Sequence, residues 1–290
     1  MSKKRISSGK NEASGLSTLL KRYGFLGVAL AGGKSDKTCL AAIEYYTKQR
    51  KIFLSHLQDH IQADGDISSD LILYEEIKNR PLKTECVAYN VPLSLPKCIT
   101  CRLQCPGYEA CNEEEIIWMW EHYRKREFQK PGYKLFTPYT ERCVEQYLSA
   151  ELEEAFQLQH ALGANLAPLT ARAHFLNRRL KIKTIEVYPK LSLWRIGRSL
   201  KIQKSYLRFH KHQAGGQEAR QAILKELIRQ EFAFIYEQDV RLMTENANAF
   251  DAFICALTAV LKFTGQCEKK PRDFPKSESW IEIPKDLVEW

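Results

Sequence analysis

Apolar positions in the first third of the chain come in short unbroken runs, not in helical stripes. Phe25 to Ala31, FLGVALA, is one such run, of the length and composition that fill a buried strand. Lys51 to Leu57 reads the same way, and so does Thr38 to Tyr46, although the latter also fits a helix. Three such runs at short spacing predict an antiparallel meander. The period then changes. Apolar residues at 67, 71, 73, 74 and 77 share one side of a helix that Pro81 stops. Cys86 to Val91 is again a short apolar run, ended by Asn90, Pro92 and Pro96, and reads as a buried strand leaving its sheet. The predicted order is strand, strand, strand, helix, strand.

Beyond residue 111 the pattern is mostly helical. Asn112 is placed to cap a helix with Glu115 at its third position. The acidic first turn of that helix (Glu113, Glu114, Glu115) and its basic end (Arg124, Lys125, Arg126) both suit the helix dipole. Ile116, Trp120 and Tyr123 give it an apolar side. Pro131, Gly132 and Pro138 interrupt the chain. Two or three helices are expected from Thr140 to about Leu180, broken near Gly163 to Pro168. Lys183 to Val187 is a further strand, stopped by Pro189 and carrying Glu186. Gln217 to Ile235 and Phe250 to Lys262 are helices, the second with Phe250, Phe253, Ile254, Leu257 and Leu261 on one face. Asp251 flanks that face. Ser279 to Pro284 ends the chain's pattern as a short strand. No internal repeat is visible.

Composition narrows the class. With 290 residues, 44% of them hydrophobic and 27% charged, the chain can bury one large core. The expected layout is a flexible basic tail over 1–23 and a single domain over 24–290. The basic N-terminal stretch has no apolar core of the kind a secretory leader needs. The longest apolar run, Phe253 to Leu261, is too short to span a bilayer, so no membrane partner is expected. Nine cysteines without sign of an oxidising compartment point to the cytoplasm.

Four of those cysteines form a motif. Cys98, Cys101, Cys105 and Cys111 are spaced C-x2-C-x3-C-x5-C directly after the strand at Cys86. Two thiolates two residues apart can grip one ion from a single turn, and two more close a tetrahedron around zinc or hold a cubane cluster. Pro106 and Gly107 supply the turn between the third and fourth. Zn²⁺ and [4Fe–4S] both stay open at this stage. Cys39, Cys86, Cys143, Cys255 and Cys267 are scattered and read as small buried hydrophobes.

Charge is also uneven. Net charge is +9, and Glu186 is the single acidic residue between Glu154 and Glu218. Twelve Lys and Arg lie between Arg172 and Lys211, interleaved with Trp194, Tyr206 and Phe209. That mixture fits a phosphodiester-handling surface. Arg195, Arg198, Lys201, Lys204 and Arg208 are its candidate contacts. Their spacing winds around a helix, which also fits a plain solvated surface.

GVALAGG (27–33), YNVPLSLP (89–96), TIEVYP (184–189) and DAFICALTA (251–259), in that order and followed by SWIEIP (279–284), resemble the predicted RNase-H-like nuclease family long described only as a domain of unknown function. The resemblance covers roughly residues 24 to 284. It implies an α/β fold, a ribonuclease-H-like mixed sheet with helices on both faces and a helical insertion over about 112–181. It also implies two-metal hydrolysis by clustered carboxylates. Glu186 and Asp251 match the family's acidic positions. Ala29 and Asn90 stand where the family has Asp, so Mg²⁺ is expected only if another carboxylate, such as Asp36 or Glu145, completes the site.

Three readings result. The first is a catalytically impaired relative of these nucleases that binds nucleic acid or a protein partner. The second is an active Mg²⁺-dependent nuclease with a rearranged site. The third is a zinc- or iron–sulfur-bearing sensor or interaction protein on the same fold.

Overall fold

The computed structural model of the chain describes residues 21–32, 37–129, 132, 134–151, 158, 160–163 and 165–290. Most of the expected tail, Gly33 at the end of the GVALAGG motif and Asp36 lie outside the described residues. The first apolar run forms strand β1 (Arg22–Ala29), and the next two form β2 (Cys39–Tyr46) and β3 (Lys51–Gln58). β1 pairs antiparallel with β2, and β2 with β3, giving the expected meander. Helix α1 (Ser69–Lys78) follows, capped by Ser68, whose hydroxyl accepts from the Leu71 N–H. It carries the chain over to β4 (Thr84–Tyr89), which runs parallel to β1. Two parallel neighbours need such a crossover.

β5 (Thr184–Val187) adds in parallel to β4. The edges are two-residue strands, β6 (Ala233–Phe234) beside β3 and β7 (Ile281–Glu282) beside β5. The full order is β6-β3-β2-β1-β4-β5-β7. An antiparallel meander that grows from β1 by parallel strands, with helices on both faces, is a ribonuclease-H-like sheet.

Between β4 and β5 lie α2 (Lys97–Thr100), a 3-10 turn (Tyr108–Ala110), α3 (Glu114–Gln129), α4 (Cys143–Glu151) and α5 (Ala167–Arg179). After β5 come α6 (Pro189–Ser199), α7 (Lys204–Phe209), α8 (Gly216–Arg229), α9 (Glu237–Glu245) and α10 (Ala247–Phe263). One sheet face packs on α10, α6 and α8 through Phe25, Ile43, Leu54, Ile185, Val187, Phe253 and Leu257. The opposite face packs on α1 and α5 through Leu26, Val28, Val87, Tyr89, Leu73 and Leu176. α3 and α4 build a third cluster beyond the β5–β7 edge, with Trp118, Val144, Phe274 and Trp280.

The contact of α10 with β1 depends on Gly27. A β-carbon there would overlap the Ala252 carbonyl and the Ala256 backbone nitrogen. The bare backbone lets the central strand and the most buried helix touch directly.

Several elements differ from expectation. α3 begins at Glu114, one residue later than an Asn112 cap would start it, and Glu115 is buried. The reason is tertiary: Glu115 bonds Lys97 and Ser277. The helix expected over 217–235 stops at Arg229 and gives way to β6. Two residues are too few to carry a period. Asp251, placed on the flank of α10, is only 1% exposed.

Candidate functional site

Val28, Tyr89 and Glu186 stand in one rank across the parallel strands β1, β4 and β5. Ala29, Asn90 and Glu186 therefore lie together at the carboxyl edge of the sheet, where open α/β sheets place their ligands. Rank alone does not bring their side chains together. Ile185 and Val187 belong to the face covered by α10, as does Ala29. Glu186 lies between those two residues in an alternating strand, so it points to the other face.

There Glu186 meets Arg142, in the turn before α4. The guanidinium donates from one nitrogen to Oε1 at 2.7 Å and from the other to Oε2 at 2.8 Å. Ser279 Oγ and the Leu93 N–H also donate to Oε2, at 2.7 and 3.0 Å. Arg142 is 1% exposed and Glu186 3%. The Arg142 Nε donates on its other side to Glu145 at 2.8 Å. Ser94 and Ser279 complete the ring, 2.8 Å apart and each 3.3 Å from Arg142. A two-point fork of this kind is a strong charge-assisted pair. Burial disfavours the charged Arg142, but Glu186 and Glu145 outweigh it and raise its pKa. Burial likewise opposes the charge of Glu145, while His160 and Arg142 hold its carboxyl below the ordinary range.

Asp251 sits on the opposite face, also closed off. Its carboxylate pairs with the Lys211 ammonium and lies 3.7 Å from His210 Nε2. Burial would raise its pKa, yet Lys211 and His210 hold it low. Asn90 is engaged with the backbone. Its Oδ1 accepts from the Leu30 N–H at 2.8 Å, and its Nδ2 donates to the Leu30 carbonyl at 3.4 Å. Ala29 is wholly buried. Glu186 and Asp251 are thus each neutralised by a separate cation, on separate faces of the sheet.

The basic segment falls into two sets of side chains. Arg195 is buried and pairs with Glu268 at 3.2 Å and with Asp286, and Arg198 reaches Asp286 at 3.3 Å. These two arginines fasten α6 to the C-terminal segment. Lys201, Lys204 and Arg208 are exposed on and beside α7, with Tyr206 and Phe209 also exposed. The Lys204 and Arg208 head groups also stand 5.7 and 5.8 Å from the Trp194 ring centre.

The four loop cysteines do come together. α2 sets Cys98 and Cys101 one turn apart, and Gly107, at φ 91°, turns the chain between Cys105 and Cys111. All four line one cavity of about 300 Å³. Burial raises the Cys98 thiol's pKa, and Cys111, Cys105 and Cys101 raise it further, so the thiols are near enough to feel one another. All four are free thiols, partly or wholly exposed, whereas Cys39, Cys86, Cys143, Cys255 and Cys267 are buried. Among the described residues, no three His, Cys, Asp or Glu side chains are arranged to hold a single metal ion.

Comparison with known proteins agrees in part. A family model described as a protein of unknown function (DUF429) matches residues 136–276. The chain is similar to that family over somewhat less than half its length. The matched span contains Glu186 and Asp251 but not Ala29, Asn90 or the cysteine loop. No curated protein and no solved structure matches the chain significantly. Among the described residues no helix is long and apolar enough to cross a membrane.

Sequence reasoning missed Arg142, Ser94, Ser279, His210 and Lys211. The two serines lie inside the motifs YNVPLSLP and SWIEIP, a signal that could have been used. Arg142 had none, because nothing in its neighbourhood distinguishes it from a surface arginine.

Proposed function

We propose that the chain is a ribonuclease-H-like relative of the predicted nucleases that works by binding, not by phosphodiester hydrolysis. One observation carries this reading: the fork of Arg142 occupies both oxygens of Glu186 in a buried site. Two-metal hydrolysis needs several carboxylates free to hold two cations against their repulsion. Here Ala29 offers no ligand atom, Asn90 serves the backbone, and Asp251 faces away and is paired with Lys211. The donors at hand do not fit Mg²⁺. The partner this reading favours is nucleic acid, at Lys201, Lys204 and Arg208, where exposed Tyr206 and Phe209 offer faces for base stacking.

The test is incubation of single- and double-stranded DNA and RNA with Mg²⁺ or Mn²⁺, beside binding assays over a salt series. No cleavage is expected, with binding that falls steeply with salt and is weakened by Lys204→Glu with Arg208→Glu. Robust cleavage lost in Glu186→Gln would overturn the hydrolytic part. Undetectable binding at low salt would overturn the nucleic-acid part.

A second reading concerns the cysteine loop. Four thiols around one cavity support a thiolate metal centre, because soft sulfur ligands select zinc or iron–sulfur clusters over hard cations.

A further inference from the structure

The loop offers two measures of what such a centre would contain, the spacing of the donors and the space between them. A zinc ion bound by four thiolates has Zn–S distances of about 2.3 Å, which forces the sulfurs to within ~3.8 Å of one another. The ion then fills the gap among them and leaves no cavity. The cysteine loop is built differently. Its four thiols border a cavity of about 300 Å³, and no three of them are set around a single point. One water's share of liquid is ~30 Å³, so this cavity, which other residues of the loop also line, has room for a centre larger than one ion.

We propose that Cys98, Cys101, Cys105 and Cys111 hold a single [4Fe–4S] cluster in this cavity, one thiolate to each iron. The proposal rests on the reading of the loop as a metal centre. Each cysteine gives up its thiol proton as its Fe–S bond forms. The cubane's own sulfides keep the thiolates apart, which matches donors spread around a space. The buried Ile116 and the more exposed Leu103 also line the cavity and give the cluster apolar neighbours, a known influence on cluster stability and potential. The chain path is suited to wrapping a bulky centre. α2 presents two thiols from one side, and the bend at Gly107 returns Cys111 from the other. Lys97, beside Cys98, is tied to Glu113 at 2.7 Å, joining the start of the loop to its end.

The test is anaerobic reconstitution of the full chain with ferric iron, sulfide and a thiol reductant, in parallel with zinc alone. Iron, acid-labile sulfide, zinc and the visible spectrum are then measured after desalting. The expected result is about four iron and four sulfide per chain, with the broad thiolate-to-iron absorption of a cubane. Cys98→Ser with Cys111→Ser should lower iron to background, and Cys105→Ala, at the most exposed of the four, should do so with least risk to the fold. Circular dichroism of both variants checks that the sheet persists. About two iron and two sulfide would overturn the cubane. Uptake of one zinc with no stable iron would overturn the cluster and leave the metal centre standing. Failure to retain either metal, or equal iron in the folded variants, would overturn both.

Discussion

Replacing Arg142 by Met tests whether the buried ion network holds the domain together. The side chain is 1% exposed and bridges Glu145 and Glu186, themselves 2% and 3% exposed. Its loss removes the donors at 2.7, 2.8 and 2.8 Å and leaves two carboxylates in the interior without their cation. Glu186 keeps the Leu93 N–H and Ser279; Glu145 keeps the Arg142 and Ala161 N–H groups and His160. Breaking one side of a buried pair costs about 3–5 kcal/mol, because the remaining charge is uncompensated. For a domain of this size that lowers Tm by roughly 6–20 °C. Urea unfolding of the natural chain, Arg142→Met, Glu186→Gln and the double variant closes a thermodynamic cycle. The double variant should be more stable than the sum of the single losses predicts, since it removes both charges together. A loss below about 1 kcal/mol in Arg142→Met, or simple additivity, would refute the reasoning.

Two further outcomes follow from the packing. Gly27→Ala should cost about 3 kcal/mol or more, or abolish soluble expression, because backbone of α10 occupies the β-carbon position; Gly32→Ala, whose β-carbon would meet only the Leu169 Cδ2 at 3.4 Å, is the reference, and equal losses in thermal melts would count against close contact of β1 and α10. Burial pushes the Glu278 carboxyl up to about 7, against the Cys143 and Val144 N–H groups that donate to it at 2.9 and 2.8 Å. A raised carboxyl favours the fold while protonated, so its contribution is full below the unfolded value of about 4.3 and is lost as pH climbs to about 7. At ~1.4 kcal/mol per unit the loss is at most about 3–4 kcal/mol. Glu278→Gln should flatten the fall in stability between pH 5 and 7, and an unchanged slope in urea titrations would sink the assignment.

The middle of the sheet was legible because β1, β2 and β4 are largely buried on both faces. β1 and β4 are nearly unbroken apolar runs, and the helix between them has a clear period and a proline stop. β7 was legible as the short strand expected over Ser279 to Pro284, but β6 was not, being two residues long and set by what it pairs with. α7 and α6 blurred into one basic helix because charge, which marks a surface, says nothing of the break between Ser199 and Lys204. The cysteine spacing was legible as one site because thiol ligands must be close in space, and short loops keep them close in sequence. The partners of Glu186 were not, since Arg142 comes from 44 residues away and Ser279 from 93. Arg195 shows the opposite failure. Its neighbours in sequence are basic, yet its neighbours in space, Glu268 and Asp286, are acidic.

The same distinction bears on whether carboxylates at 29 and 90 would rebuild a magnesium site. By sequence they would, since Ala29, Asn90 and Glu186 share the carboxyl edge of three parallel strands. Strand alternation decides otherwise. An Asp at 29 would project among the apolar side chains that meet α10, while Glu186 projects to the other face and already has a cation. An Asp at 90 could still accept from the Leu30 N–H but could not donate to the Leu30 carbonyl, so it would loosen the junction that sets β1 against β4. Two added charges in this interior would raise desolvation cost without converging on one ion. The proposed loss of hydrolysis therefore has more behind it than two missing carboxylates. The two that remain each have a cation of their own, Arg142 and Lys211, and sit on opposite sides of the sheet. A shared site would require moving the carboxylate of Glu186 by one strand position, which would turn it to the face that α10 covers. Among the described residues, the thiols open to a soft metal gather instead at the cysteine loop after β4.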